Sequence, residues 1–198
     1  MKTQQIIFRK VVATILLAAA ILSITSCKGQ EEKSDNKEEN SVSQTSVNPP
    51  SVDIHTATFM GNLSAIRQHI NAGSDLNVKD QYGSTPLIIA TTFGKTEVAK
   101  SLIEAGADMN ITSNEGATPL HTAAFFCRTE IVKALLDKGA DKTLKNNYGS
   151  TPMETVAGPF NEVKGIYDQI SKDLGPLGFK LDYKHLEMTR PKIAKMLQ

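Results

Sequence analysis

The word YGSTP occurs at 82–86 and again at 148–152, and EGATP stands between them at 115–119. Their glycines, Gly83, Gly116 and Gly149, are 33 residues apart each time. No other feature constrains the chain as strongly. A unit this small cannot bury its own apolar face, so its copies have to stack into an elongated array.

The same period carries a helix pair and a loop. First helices are expected from Thr85-Pro86-Leu87-Ile88, Thr118-Pro119-Leu120-His121 and Thr151-Pro152-Met153-Glu154, each with Thr as the N-cap and Pro in the first turn. A degenerate first unit begins at Ile54-His55-Thr56-Ala57 and ends at Gly61. Second helices are expected over 64–72, 96–105, 129–138 and 161–174, where apolar residues such as Val98, Leu102 and Ile103 recur three and four apart. Three of these are followed by Gly73-Ser74-Asp75, Gly106-Ala107-Asp108 and Gly139-Ala140-Asp141, with Gly at the position that needs a positive φ.

The run GATPLHTAA at 116–124, with its near copies and the Gly-Ala-Asp loops, resembles the ankyrin repeat. The resemblance covers about 53–175 and implies an all-α solenoid of about four helix-turn-helix units joined by β-hairpin-type loops. The units are expected at 53–80, 81–113, 114–146 and 147–175. A C-terminal helical cap is expected over 176–198, as two short helices interrupted at Pro191 that cover the last repeat. A protein-binding tail is the alternative.

The N-terminus has a different character. Residues 1–26 hold Lys2, Arg9 and Lys10 without an acid, then an apolar run from Val11 to Ile24, shorter than the ~20 residues a membrane span takes. This is the pattern of an export signal. The stretch Ile24-Thr25-Ser26-Cys27 resembles the lipobox of bacterial lipoproteins, which implies cleavage before Cys27 and lipidation of its thiol. Ile24 stands where that family prefers Leu. Lys28 replaces the Asp that signals inner-membrane retention, so the resemblance implies outer-membrane anchoring, facing either the periplasm or the exterior. Glu31 and Glu32 resemble the surface-export tags of some Bacteroidetes lipoproteins. Residues 27–52 contain three Val and no aromatic, too little apolar surface to offset ordering, and read as a tether.

The formal net charge is +1, and the three cations of 1–26 leave a mildly acidic remainder, which offers no footprint for nucleic acid. Four scattered histidines make no metal site, no phosphate loop or nucleophile motif occurs, and neither enzymatic activity nor a cofactor is expected. His55 and His121 sit at the family's hydrogen-bonding histidine position. Cys127 occupies the turn where Gly61 and Gly94 stand and reads as a small, tolerated, partly buried substitution; the alternative is a reactive thiol, since it lies beside Arg128 and a neighbouring cation lowers a thiol's pKa.

The family binds protein partners through its hairpin tips and the open side of its first helices. The matching tip positions are Gln81, Tyr82 and Ser84, then Asn114, Glu115 and Ala117, then Tyr148 and Ser150. The matching helix positions are Phe59, Met60, Thr92, Phe93, Phe125 and Phe126, five of them aromatic or Met. Such a stripe marks either the centre of a binding patch or packing between repeats. The expected function is a monomeric, lipid-anchored, non-catalytic module that binds a protein partner. A redox accessory or sensor using Cys127 and an immunity-type protein that neutralises a toxin are the alternatives.

Overall fold

The computed structural model describes residues 50–198, so the segment expected to be an export signal, the expected lipidation site Cys27 and most of the expected tether lie outside the described residues. Among the described residues the regular structure is helical, with no strand. The helices are α1 (Ile54–Met60), α2 (Leu63–Asn71), α3 (Pro86–Phe93), α4 (Thr96–Glu104), α5 (Pro119–Phe125), α6 (Thr129–Asp137), α7 (Glu154–Ala157), α8 (Phe160–Leu174) and α9 (Tyr183–Leu197), with a 3-10 turn at Gly175–Leu177 before α9.

Local chemistry starts each inner helix. The Thr85 and Thr118 hydroxyls accept the N–H of Ile88 and of His121, and Pro fills the first turn of both helices. In α5 the His121 ring closes a capping box with Thr118 while its Nε2 reaches the Ser150 carbonyl at 2.9 Å. That histidine is buried, which pushes its pKa down and keeps it neutral. His55 Nε2 also reaches a backbone carbonyl at 2.9 Å, but that of Val78, 23 positions on, where His121 reaches 29 positions on. Asp75, Asp108 and Asp141 each accept the backbone N–H two residues on, at 2.8 Å, and so close their loops.

Helices α1, α3, α5 and α7 form an inner row, and α2, α4 and α6 an outer row. Ala57, Ala90 and Ala123, one per inner helix and 33 apart, are fully buried and allow close approach of neighbouring backbones. Around them Ile66, Leu87, Leu102, Leu120, Ile131 and Leu135 are closed to solvent. Each such side chain contributes ~1.5–3 kcal/mol by leaving water.

The fourth unit departs from expectation. α7 is only four residues long, and Gly158-Pro159 turns the chain away after it. The helix that packs beside α7 and α6 is α9, not the α8 that follows in sequence. Cys127, in the turn before α6, lies near the Leu186 carbonyl, and Lys142, in the loop after α6, donates to the Gln198 carbonyl at 2.8 Å. α9 therefore runs alongside α6 in the same direction and fills the place of a fourth outer helix. It is also continuous through Pro191, contrary to the expected break. Residues 159–182 form an excursion across the inner helices.

Candidate functional site

The positions singled out in the sequence form two separate rows. α3 and α5 each have a hairpin tip before the first turn and a phenylalanine at the last residue. α3 spans eight residues, so these two ends lie ~10 Å apart at 1.5 Å per residue.

The tip row is tightly built. Asp80 and Asn146 each accept two backbone N–H groups, from Tyr82 and Ser84 and from Tyr148 and Ser150. A Cβ on Gly83 would overlap the Asn114 carboxamide, and one on Gly116 that of Asn147, so each tip lies directly on the glycine of the one before. Asn147 joins the next pair, with Nδ2 on the Asn114 carbonyl at 2.9 Å and its N–H on the Glu115 carbonyl at 3.0 Å. Glu115 is held by the Ser113 hydroxyl at 2.7 Å, and Gln81 donates to the Tyr82 hydroxyl at 2.9 Å. Gln81 and Asn114 are exposed; Tyr82, Ser84, Glu115, Ala117, Tyr148 and Ser150 are half-buried. Partial burial, with Glu115 nearby, pushes the Tyr148 hydroxyl up to about 12.

The aromatic row is not open. Phe93 meets Phe59 edge-on at 4.8 Å and Phe179 edge-on at 5.7 Å. Phe126 is only 7% exposed and packs edge-on against Phe125 and Phe179. Phe125 stacks on Tyr167 at 4.6 Å, and Phe160 stacks on the same ring from further along α8. The expected exposed stripe is thus corrected at Phe93, Phe125 and Phe126, which are covered by the chain's own excursion. Phe93 also packs between repeats, against Phe59 of the preceding unit. Thr92 is half-buried, with its hydroxyl donating to the Ile88 carbonyl and its own carbonyl accepting from Arg128. Of the six helix positions, Met60 stays well exposed, at 65%, beside half-buried Phe59.

The cover is fastened by Tyr167 and Arg190. The Tyr167 hydroxyl donates to the Phe125 carbonyl and accepts from Arg190 Nη1 at 2.9 Å. Arg190 Nη2 donates to the carbonyls of Thr155 and Gly158, both at 3.2 Å. Arg190 is 2% exposed and has no carboxylate partner, so backbone dipoles and a phenol oxygen carry its solvation. Burial also pushes the Tyr167 pKa up. No expectation drawn from the sequence included this cover, for which the one signal is an aromatic cluster. Phe160, Tyr167, Phe179 and Tyr183 supply four of the eleven aromatic residues within 24 positions.

Cys127 adopts φ 53, the left-handed conformation that Gly61 and Gly94 adopt at the equivalent turns. Its thiol is 2% exposed. Burial pushes its pKa up to about 11 and outweighs Arg190 and Arg128, which pull it down. The reading of Cys127 as a small, buried substitution for glycine agrees with this, and the alternative in which Arg128 activates the thiol does not. Among the described residues no group of three His, Cys, Asp or Glu side chains is placed to hold a metal ion.

The stacked helix pairs, the capped inner helices and the Asp-closed loops agree with the family comparison. A model described as ankyrin repeats, in three copies, matches residues 54–146. Residues 54–146 are ankyrin repeats. No curated protein matches the sequence. The ankyrin match ends where the chain departs from the pattern, before the shortened α7 and the excursion. Ankyrin repeats are a protein–protein interaction module.

Proposed function

We propose that this chain is a non-catalytic, monomeric interaction module held to the cell envelope by lipid on Cys27, which docks a protein partner along its hairpin tips. The observation that supports docking is the tip row itself. Three tips stand in register, each of the later two lying on the glycine of the one before and the last two also hydrogen-bonded to each other, so Gln81, Tyr82, Ser84, Asn114, Glu115, Ala117, Tyr148 and Ser150 present a preordered edge. Preorder lowers the entropy lost on binding. The envelope reading rests on the basic leader, the short apolar run and the lipobox-like Ile24-Thr25-Ser26-Cys27. By the same resemblance the outer membrane is the proposed location.

Two measurements test this function. Crosslinking in intact cells followed by mass spectrometry identifies the partner, and capture should fall at least tenfold for the paired change Gln81→Ala and Asn114→Ala with melting temperature unchanged. Capture that is indifferent to those changes overturns tip docking. Cys27→Ser should leave the protein unprocessed or release it from the membrane fraction, since several acyl chains anchor stably and none remains. Membrane association at the normal mature mass in that variant contradicts lipid anchoring.

A further inference from the structure

A cleft of about 370 Å³ lies where the excursion meets the repeats, lined by Phe59, Met60 and Phe93 on one side and by Leu177, Gly178 and Phe179 on the other. Its remaining lining residues are Lys95, Arg128 and Lys180, and no carboxylate is among them. We propose that this cleft binds a carboxylate borne on a small apolar or aromatic group.

Three observations support that ligand. First, the cations are gathered but not neutralised. Among the described residues neither Lys95 nor Lys180 takes part in an ion pair, and Arg128 spends Nη2 on the Thr92 carbonyl at 3.1 Å while its buried Nε has no acceptor there. Positive charges held together over apolar walls raise the local potential and attract a counter-charge.

Second, the placement of two of the cations is built into the repeat. Lys95 and Arg128 are 33 apart, each just before an outer helix, and each side chain lies back over the glycine of the preceding turn. A Cβ on Gly94 would come within 2.9 Å of Arg128 Cζ, and one on Gly61 within 3.2 Å of Lys95 Cδ. The missing side chains give the cations their bed. Arg128 is further held 5.9 Å from the Phe126 ring centre.

Third, the walls are aromatic. Phe59, Phe93 and Phe179 offer ring surface beside the charges, which suits an apolar body attached to the anion more than a bare, strongly hydrated one. The volume falls in the ~300–1,000 Å³ range of small-ligand clefts. A carboxylate here touches the repeats through Lys95 and Arg128 and the excursion through Lys180, so it also fastens the cover.

Such a carboxylate has two sources, the C-terminal end of a polypeptide or a free organic acid. The first rests on the interaction-module reading and the second does not. Calorimetric titration of the full chain separates them with four probes: a tetrapeptide ending in Phe, its C-terminal amide, phenylpropionate and inorganic phosphate. The expected result is binding by the free-acid peptide, by phenylpropionate or by both, at least tenfold tighter than by the amide or by phosphate, and weakening as salt rises. Lys95→Ala combined with Lys180→Ala should reduce that affinity at least tenfold at unchanged melting temperature, since neither side chain makes a hydrogen bond or ion pair in the fold. Equal binding of the amide and the free acid overturns the proposal. So does binding that survives loss of both lysines, or no binding by either carboxylate at millimolar concentration. Loss of tip-row capture leaves this result untouched, so the two readings fail separately.

Discussion

Cys127 shows how one residue's setting decides its chemistry. The turn between α5 and α6 needs a positive φ, which its counterparts meet with glycine, and a side chain there costs ~1 kcal/mol or more in backbone strain. That side chain is buried near the Leu186 carbonyl, where it fills space between the turn and α9. Its raised pKa has a definite consequence. Between about pH 9 and about 11 an unfolded chain releases the thiol proton while the folded chain keeps it, so stability falls as pH rises through that window. The thiol's share of the loss is ~2 kcal/mol, so the fall in denaturant midpoint between pH 8 and pH 10.5 should be smaller by that amount in Cys127→Ala, the raised tyrosines accounting for the rest. At pH 8 the folded protein should also react with a thiol reagent far more slowly than the denatured one. Arg190 is the other decisive residue. Arg190→Ala strips donors from Tyr167, Thr155 and Gly158 at once and should cost roughly 3 kcal/mol, read as a lowered urea midpoint.

At the level of elements, the cover makes Phe125 a structural residue. Its ring lies against Tyr167 and Phe126, so Phe125→Ala should cost ~3 kcal/mol of folding stability. An unchanged melting temperature in that variant contradicts the packing described for the row. The repeat helices were legible because their signals are local: Thr85 and Thr118 cap within three residues, and Asp75, Asp108 and Asp141 close turns within two. The end of the array was not legible, because what decides it lies far apart in sequence. Phe179 fits between Phe93 and Phe126, and Tyr167 reaches Phe125 across 42 positions, neither of which any spacing rule announces. Pro191 also misled. It removes a backbone donor from α9 and normally breaks a helix at ~3 kcal/mol. Here it stands on the exposed side, while Leu186, Arg190, Ile193 and Leu197 bury the other side and hold the helix together.

On the scale of the whole molecule, two edges of one array have been given different work. Stacked repeats hold only their neighbours, so an end unit needs something to finish it. α9 does so in the position of an outer helix, and the excursion that leads to it closes the aromatic ends of α3 and α5. The hairpin tips remain on the opposite ends of those helices. The central claim is that the partner meets the tips and not the aromatic row. A photoactivated crosslinking residue placed at 81 and, in a separate variant, at 125 tests it most directly in intact cells. The expected result is an intermolecular adduct from position 81, and from position 125 only an internal crosslink to the segment around Tyr167. An intermolecular adduct from position 125, with none from 81, contradicts it.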